Sequence, residues 1–418
     1  MKTARVPWGA WYANTELELT FPDDWDVRLA AMADAPDVGD EAIRQAFESP
    51  IGTPTIRELA RGKRTVVVTA DDLTRPTQAY RFIPVIVRQL EEAGVRHADV
   101  TFVLSFGAHR PMTRDDLIKK LGAWVVDGFR VYNHHPYENL VRLGTTSRGT
   151  PLFINRTYYE ADLKICNSFI TPHPIAGFGG GAKAVLPGVA GIETLQANHT
   201  PALIGKIGGI GFIEGNEHRA DLEEAARIAG LDVSVNAVGT GRGGTAGVFV
   251  GDFVGAHRAA VALARRVYAT RIPEGPLDVG VFNAYPKDNE FIQSSNAFNV
   301  WSNREADLVR PGGTIVLTTA GSEGRGFHSL ADTNMRLDTP AHARGPAARM
   351  FQGRRLVVFC PSVSAADVYD RYPAATVFCR KWQEVVDTLG MHHGAGTRVA
   401  VFPCGTLQLD EQTLGRVR

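Results

Sequence analysis

The chain has 418 residues, 44% of them hydrophobic and 22% charged, with 45 Lys+Arg set against 45 Asp+Glu. That length exceeds one ordinary core and fits two domains, and the composition excludes a disordered chain or a membrane protein. The balanced formal charge argues against a nucleic-acid surface as the main business of the molecule. The first residues, MKTARVPWGAWYANTELEL, lack the apolar stretch of a signal peptide, and no apolar run reaches the length of a membrane span. Cys166, Cys360, Cys379 and Cys404 are far apart and form no C-x-x-C pair. Neither a disulfide framework nor a zinc site is indicated, and a soluble cytoplasmic protein is expected.

In chain order, residues 64–70 (RTVVVTA) are a β-branched run, and residues 78–93 follow with helical spacing up to Gly94, a helix stop. Residues 99–105 (DVTFVLS) form the next predicted strand, and Thr113 opens a capped helix that stops near Gly122. Residues 163–170 read as a buried strand, 216–229 as a helix, 231–238 and 247–250 as strands, and 254–270 as a helix. Two prolines and a glycine at 271–276 (RIPEGP) make a linker. Beyond it, a strand at 277–282, a helix around 293–309, and strands at 314–318, 356–360, 376–379 and 397–402 are expected. Alternation of this kind predicts an α/β protein of two domains, each a mostly parallel sheet flanked by helices. The expected division is 1–272 and 277–403, with the tail at 404–418 free to pack back on the first domain. The cleft between the domains is the default ligand site.

Ligands of open parallel sheets bind beyond the carboxyl ends of the strands. Three strand ends in the first half deliver Asp71-Asp72-Leu73-Thr74-Arg75-Pro76, Phe106-Gly107-Ala108-His109-Arg110-Pro111 and Thr171-Pro172-His173-Pro174. An acid, a guanidinium and two imidazoles thus converge on one edge. Asp72 and Arg75 also suit a plain helix cap and ion pair, although the planar fork of Arg75 matches a carboxylate. His109 taken singly is more often a structural hydrogen-bonder. His173, held between prolines, has an extended, stiff backbone suited to a general base, whereas His134 and His135 read as surface residues. The run Gly177-Phe178-Gly179-Gly180-Gly181-Ala182-Lys183 fails as a P-loop, because Ala182 and Ala184 stand where glycine and Ser/Thr are needed. Its backbone N–H groups remain candidates to cradle a phosphate, Lys183 offers an amine to a cofactor, and a plain glycine-rich turn into a helix is the alternative. His199, in Asn198-His199-Thr200-Pro201, makes sense as a metal ligand only if another molecule supplies the remaining ligands.

Together these pieces resemble the lactate racemase family, through DDLTRP at 71–76, GAHRPMT at 107–113, HPIAGFGGGAKAVLPG at 173–188, NH at 198–199 and YPKDNEFIQ at 285–293. The resemblance implies a two-domain α/β racemase or epimerase acting on a small 2-hydroxy acid with a nickel-pincer nucleotide. It places the covalent cofactor link on Lys183 and the single protein ligand to nickel on His199. Asp72, Thr74, Gly179, Gly180 and Gly181 fall on the cofactor side. His109 and His173 become the acid/base pair, expected near a pKa of about 6.5, and Arg75 the carboxylate holder. Gln293 and Tyr285 fall in the matching cleft motif. Separate cofactor maturation enzymes are implied as partners. Where the family pattern reads Q-x-x-K this chain has Gln293-Ser294-Ser295-Asn296. That change points to an aliphatic 2-hydroxy acid larger than lactate, with a sugar-acid 2-epimerase or a non-catalytic carrier of the cofactor as alternatives.

Overall fold

A computed structural model of the chain describes residues 1–199, 209–332 and 349–414. Two six-stranded sheets organise it. In the first, the order is Thr245–Gly251, Val233–Gly239, Leu163–Phe169, Val66–Ala70, Val100–Leu104 and Arg130–Asn133. All neighbours run parallel except the first pair. Val66–Ala70 lies near the middle and is buried at every position, which is why its sequence is a continuous apolar run rather than an alternating one. Each of its three valines stabilises the core by about 1.5–3 kcal/mol. The second sheet is wholly parallel, in the order Val377–Cys379, Arg355–Phe359, Val309–Thr318, Leu277–Asn283, Arg398–Phe402 and Asp26–Leu29. Its edge strand thus comes from the first thirty residues, which otherwise form the antiparallel hairpin Lys2–Trp8 with Thr15–Phe21.

The helices sit where their signals place them. Ala79–Glu92 ends just before Gly94, and Arg114–Leu121 opens on a capping box of Thr113 with Asp116. Glu217–Ile228 is capped by the Asn216 side chain. A helix around 293–309 does not form. A 3-10 helix at Phe291–Phe298 and one α-turn at Asn299–Ser302 take its place, and Val309 already belongs to a strand. The apolar spacing there is fitted by the tighter helix and the turn after it, which bury Phe291, Phe298 and Trp301. His134 is likewise not on the surface: it is buried, with Nε2 bonded to the Ala190 carbonyl at 2.9 Å. Beyond the linker, Leu407 and Leu409 pack into the core of the first sheet, and Leu409–Asp410 pairs with Ala269–Thr270. Residues 415–418 of the expected tail lie outside the described residues.

The two halves are laced together at the carboxyl ends of their strands. The Ser329 N–H donates to the Ala108 carbonyl at 2.7 Å, and Arg110 Nε donates to Glu323 Oε2 at 2.6 Å. The backbones of His109 and His328 bridge, with their rings 5.0 Å apart. This seam holds the site.

Candidate active site

The loop after Val66–Ala70 is fixed from beneath. Lys120, fully buried, donates to Asp71 Oδ1 (3.0 Å) and to the carbonyls of Arg75 (2.8 Å) and Thr77 (3.2 Å). All three ammonium protons are spent on shaping the turn that carries Asp72 and Arg75. Asp72 accepts from the Thr74 N–H at 2.8 Å and from the Thr74 hydroxyl, and its other oxygen meets His109 Nδ1 at 2.7 Å. Burial pushes the Asp72 carboxyl up, but His109, Arg75 and Thr74 outweigh it and hold the group well below the usual carboxylate range. A permanent carboxylate therefore fixes the proton of His109 on Nδ1 and leaves Nε2 as a lone pair. Arg75 spends one nitrogen on Thr74, and the rest of its fork has no other partner among the described residues.

The glycine run approaches from the adjacent strand. Pro172–His173 pairs antiparallel with Gly177–Phe178 in a tight hairpin. At Gly177 (φ +72°) a Cβ would meet the Phe212 carbonyl oxygen at 2.0 Å, so only glycine fits. The amides of Gly179 and Gly181 are consumed by the Thr171 carbonyl (2.7 Å) and Asn236 Oδ1 (2.8 Å). Those two N–H groups are thus not available to a phosphate, contrary to the expectation for this loop. What the run does deliver is Lys183, half-buried, with Nζ 3.4 Å from His173 Nε2. Burial, then Arg75 and Arg219, push the Lys183 amine down to about 7. His173 Nδ1 accepts the N–H groups of Ile175 (3.2 Å) and Ala176 (3.1 Å), so the proton of its neutral ring sits on Nε2. Burial, followed by Lys183 and Lys287, holds its pKa well below the ordinary histidine value, and the expectation of a value near 6.5 fails for His173.

Asp71, Asp72, Arg75, His109, Gly179, Gly180 and Lys183 line one cavity of about 60 Å³, between the ends of three strands of the first sheet. Thr74 lines a smaller cavity beside it. Gly181 stands just behind, against Phe253 and Arg219. Gln293, Asn296 and Tyr285 do not form walls of either cavity. Asn296 Nδ2 donates back to the Gln293 carbonyl (2.8 Å) and to Gln293 Oε1 (3.2 Å) within the 3-10 helix, and Tyr285 is buried in the core of the first sheet.

His199 follows the helix Ile192–Asn198 and has Nδ1 2.7 Å from the Leu195 carbonyl. That bond fixes the tautomer and leaves a lone pair on Nε2, an arrangement that suits a metal-ligating histidine. Burial, then Lys183, holds its pKa down to about 4, so the ring is neutral and able to bind a metal at neutral pH. Among the described residues no group of three or more His, Cys, Asp and Glu is placed to hold a metal ion. The residues therefore fit a group that brings its other ligands with it: one neutral imidazole, and one amine of lowered basicity to anchor it.

Several residues of the site lie in the second half and escaped the sequence reading. Lys287 and Glu290 follow the strand Leu277–Asn283, Glu323 follows Val309–Thr318, and the His328 ring lies tilted beside that of His109. The strand-end rule, applied beyond the linker as it was before it, would have marked Lys287, Glu290 and Glu323.

The family described as lactate racemase N-terminal domain matches residues 12–208. The lactate racemase of Lactiplantibacillus plantarum is 30% identical over 301 residues, 70% of this chain and 70% of the relative. That of Thermoanaerobacterium thermosaccharolyticum is 29% identical over 290 residues, 69% of this chain and 67% of the relative. The lactate racemase apoprotein structure from T. thermosaccharolyticum has the same fold, with a TM-score of 0.78 at 22% identity over 98% of this chain and 100% of that one. Identity of 30% carried across 70% of both chains, on the same fold, means that this isomerase belongs to the lactate racemase family.

Proposed function

We propose that this racemase inverts C2 of a small 2-hydroxy acid larger than lactate, using a nickel-pincer nucleotide joined to Lys183 with its metal on His199. The observation that carries the reading is the meeting of four groups at one site: the Asp72–His109 pair, the open fork of Arg75, and Lys183 beside His173. When bound, the cofactor supplies a reversible hydride acceptor, which matters because a proton on carbon next to a carboxylate is too weakly acidic for histidine.

Everything else falls to the chain. Arg75 grips the substrate carboxylate through its unspent nitrogens. His109 Nε2 takes the C2 hydroxyl proton and returns it, with Asp72 stabilising the imidazolium. His173, whose Nε2 carries the proton of the neutral ring, is assigned to the hydroxyl oxygen in the opposite configuration, since inversion presents the hydroxyl from two directions. Once Lys183 is acylated it no longer carries charge, and one cation that depresses His173 is gone. The four cysteines are buried and unpaired, in keeping with a reducing, cytoplasmic setting where separate maturation enzymes make the cofactor. Protein produced with those enzymes should gain mass on Lys183 and bind about one nickel per chain. Lys183→Ala should lose both, whereas His199→Ala should lose metal and keep the organic adduct. Nickel and added mass persisting in Lys183→Ala would reject the assignment.

A further inference from the structure

The second sheet contributes a carboxyl group that the reaction as described leaves unused. Glu290 is 1% exposed, and its Oε2 is fully buried with no hydrogen-bond partner. Such a group is costly to bury and is rarely kept without a purpose. It is held firmly. Gly326, at φ +79°, lies so close that a Cβ there would meet the Cβ, Cγ and Cδ of Glu290 at 2.8–2.9 Å. The carboxyl borders a small cavity of about 10 Å³, the room one hydroxyl needs, shared with Asp72, Thr74, His109, Arg110 and Glu323. Asp72 and His109 are also walls of the main cavity, so the two spaces adjoin at the catalytic imidazole.

The other polar walls of this pocket are already occupied. Glu323 accepts from Arg110 Nε (2.6 Å) and from Asn289 Nδ2 (2.7 Å). Asp72 is taken by His109 and Thr74. Apart from the Nε2 lone pair of His109, which the inversion uses, Glu290 is the wall that brings unspent hydrogen-bonding capacity among the described residues. Burial, then the charges of Asp72 and Glu323, push its carboxyl up to about 8, so at neutral pH it is a neutral acid with one donor and one acceptor. A neutral acid suits a hydroxyl group, which both accepts and donates. It does not suit an ammonium, which offers donors only, or a methyl, which offers nothing.

We infer that Glu290 is a specificity-determining residue that binds a second hydroxyl of the substrate, on the carbon next to the one inverted, so that the substrate class is a 2,3-dihydroxy acid rather than a purely aliphatic one. The inference rests on the racemase reading above and makes the enzyme an epimerase at C2. A site built around a hydroxyl discriminates strongly against the analogue lacking it, because its own buried group is then left unpaired.

The test compares 2,3-dihydroxybutanoate with 2-hydroxybutanoate, equal in carbon number, on cofactor-loaded protein. Inversion is followed by chiral chromatography. The wild type is expected to favour the dihydroxy acid by roughly tenfold or more in kcat/KM. Glu290→Gln, which keeps a donor and an acceptor, should retain most of that preference. Glu290→Leu should bring the two acids to within about threefold by losing the hydroxylated one, while 2-hydroxybutanoate is still inverted. If Glu290→Leu does not fold, Glu290→Met carries the same comparison. A wild type that inverts 2-hydroxybutanoate without preferring its 3-hydroxy analogue overturns the subsite alone, as does an apolar variant that keeps the preference. A wild type that inverts neither acid overturns the racemase reading and the subsite with it.

Discussion

Lys183 Nζ and His173 Nε2 face one another at 3.4 Å. Both Nδ1 contacts of His173 come from backbone donors, so Nε2 carries the proton of the neutral ring, and a protonated Lys183 disfavours any second charge there. Lys183 thus helps burial to hold His173 down. Replacing Lys183 by methionine removes a principal cause, after burial, of the depressed His173 pKa. The His173 pKa should therefore rise in Lys183→Met relative to the unloaded wild type. NMR titration of the imidazole carbons reads this directly, and an unchanged value would mean that Lys183 does not contribute to it.

The 2.7 Å contact of Asp72 with His109 Nδ1 makes a different prediction. Asp72→Asn preserves the volume and the Thr74 contacts but no longer dictates which nitrogen of His109 holds the proton. Inversion should fall by roughly 10²–10⁴-fold in kcat with little change in KM, as when the orienting carboxylate of a histidine base is neutralised elsewhere. A variant within about threefold of wild type would show that His109 does not need Asp72.

Glu290 ties stability to pH. Its ordinary value lies near 4.5, and in the folded protein it is pushed up to about 8 by burial, Asp72 and Glu323, against the opposing charges of Arg110 and Arg75. The unfolded chain loses this proton first as pH rises, so the folded state binds more protons across the window from about 4.5 to 8. Stability is therefore lost through that window. Glutamine does not titrate. The Tm of Glu290→Gln relative to wild type should rise from pH 5 to pH 8 by a few degrees (~1–2 kcal/mol), and calorimetry at the two pH values checks it.

Much of the fold was legible because central parallel strands are apolar runs and because Gly94, Thr113, Asn216 and Gly122 punctuate helices by mechanisms that act locally. The helix expected around 293–309 failed where tertiary packing of Phe291, Phe298 and Trp301 decided the outcome over local spacing. The same limit applies to the edge strand Asp26–Leu29, which joins a sheet whose other strands lie more than two hundred residues away. In the site, Asp72, Arg75, His109 and Lys183 were readable as strand-end and loop residues. His134 was misplaced on the surface because its burial depends on the Ala190 carbonyl, 56 residues away. Glu290 was invisible as a site residue because its partnerless state is a property of three dimensions only.

The most direct test of the account uses an enantiopure 2-hydroxy acid carrying deuterium at C2, with cofactor-loaded enzyme in ordinary water. If a hydride leaves and returns to the same carbon while His109 and His173 handle only the hydroxyl proton, the inverted product retains deuterium at C2. Inversion with deuterium replaced by solvent hydrogen would mean that a histidine removes the carbon-bound proton, and it would contradict the account.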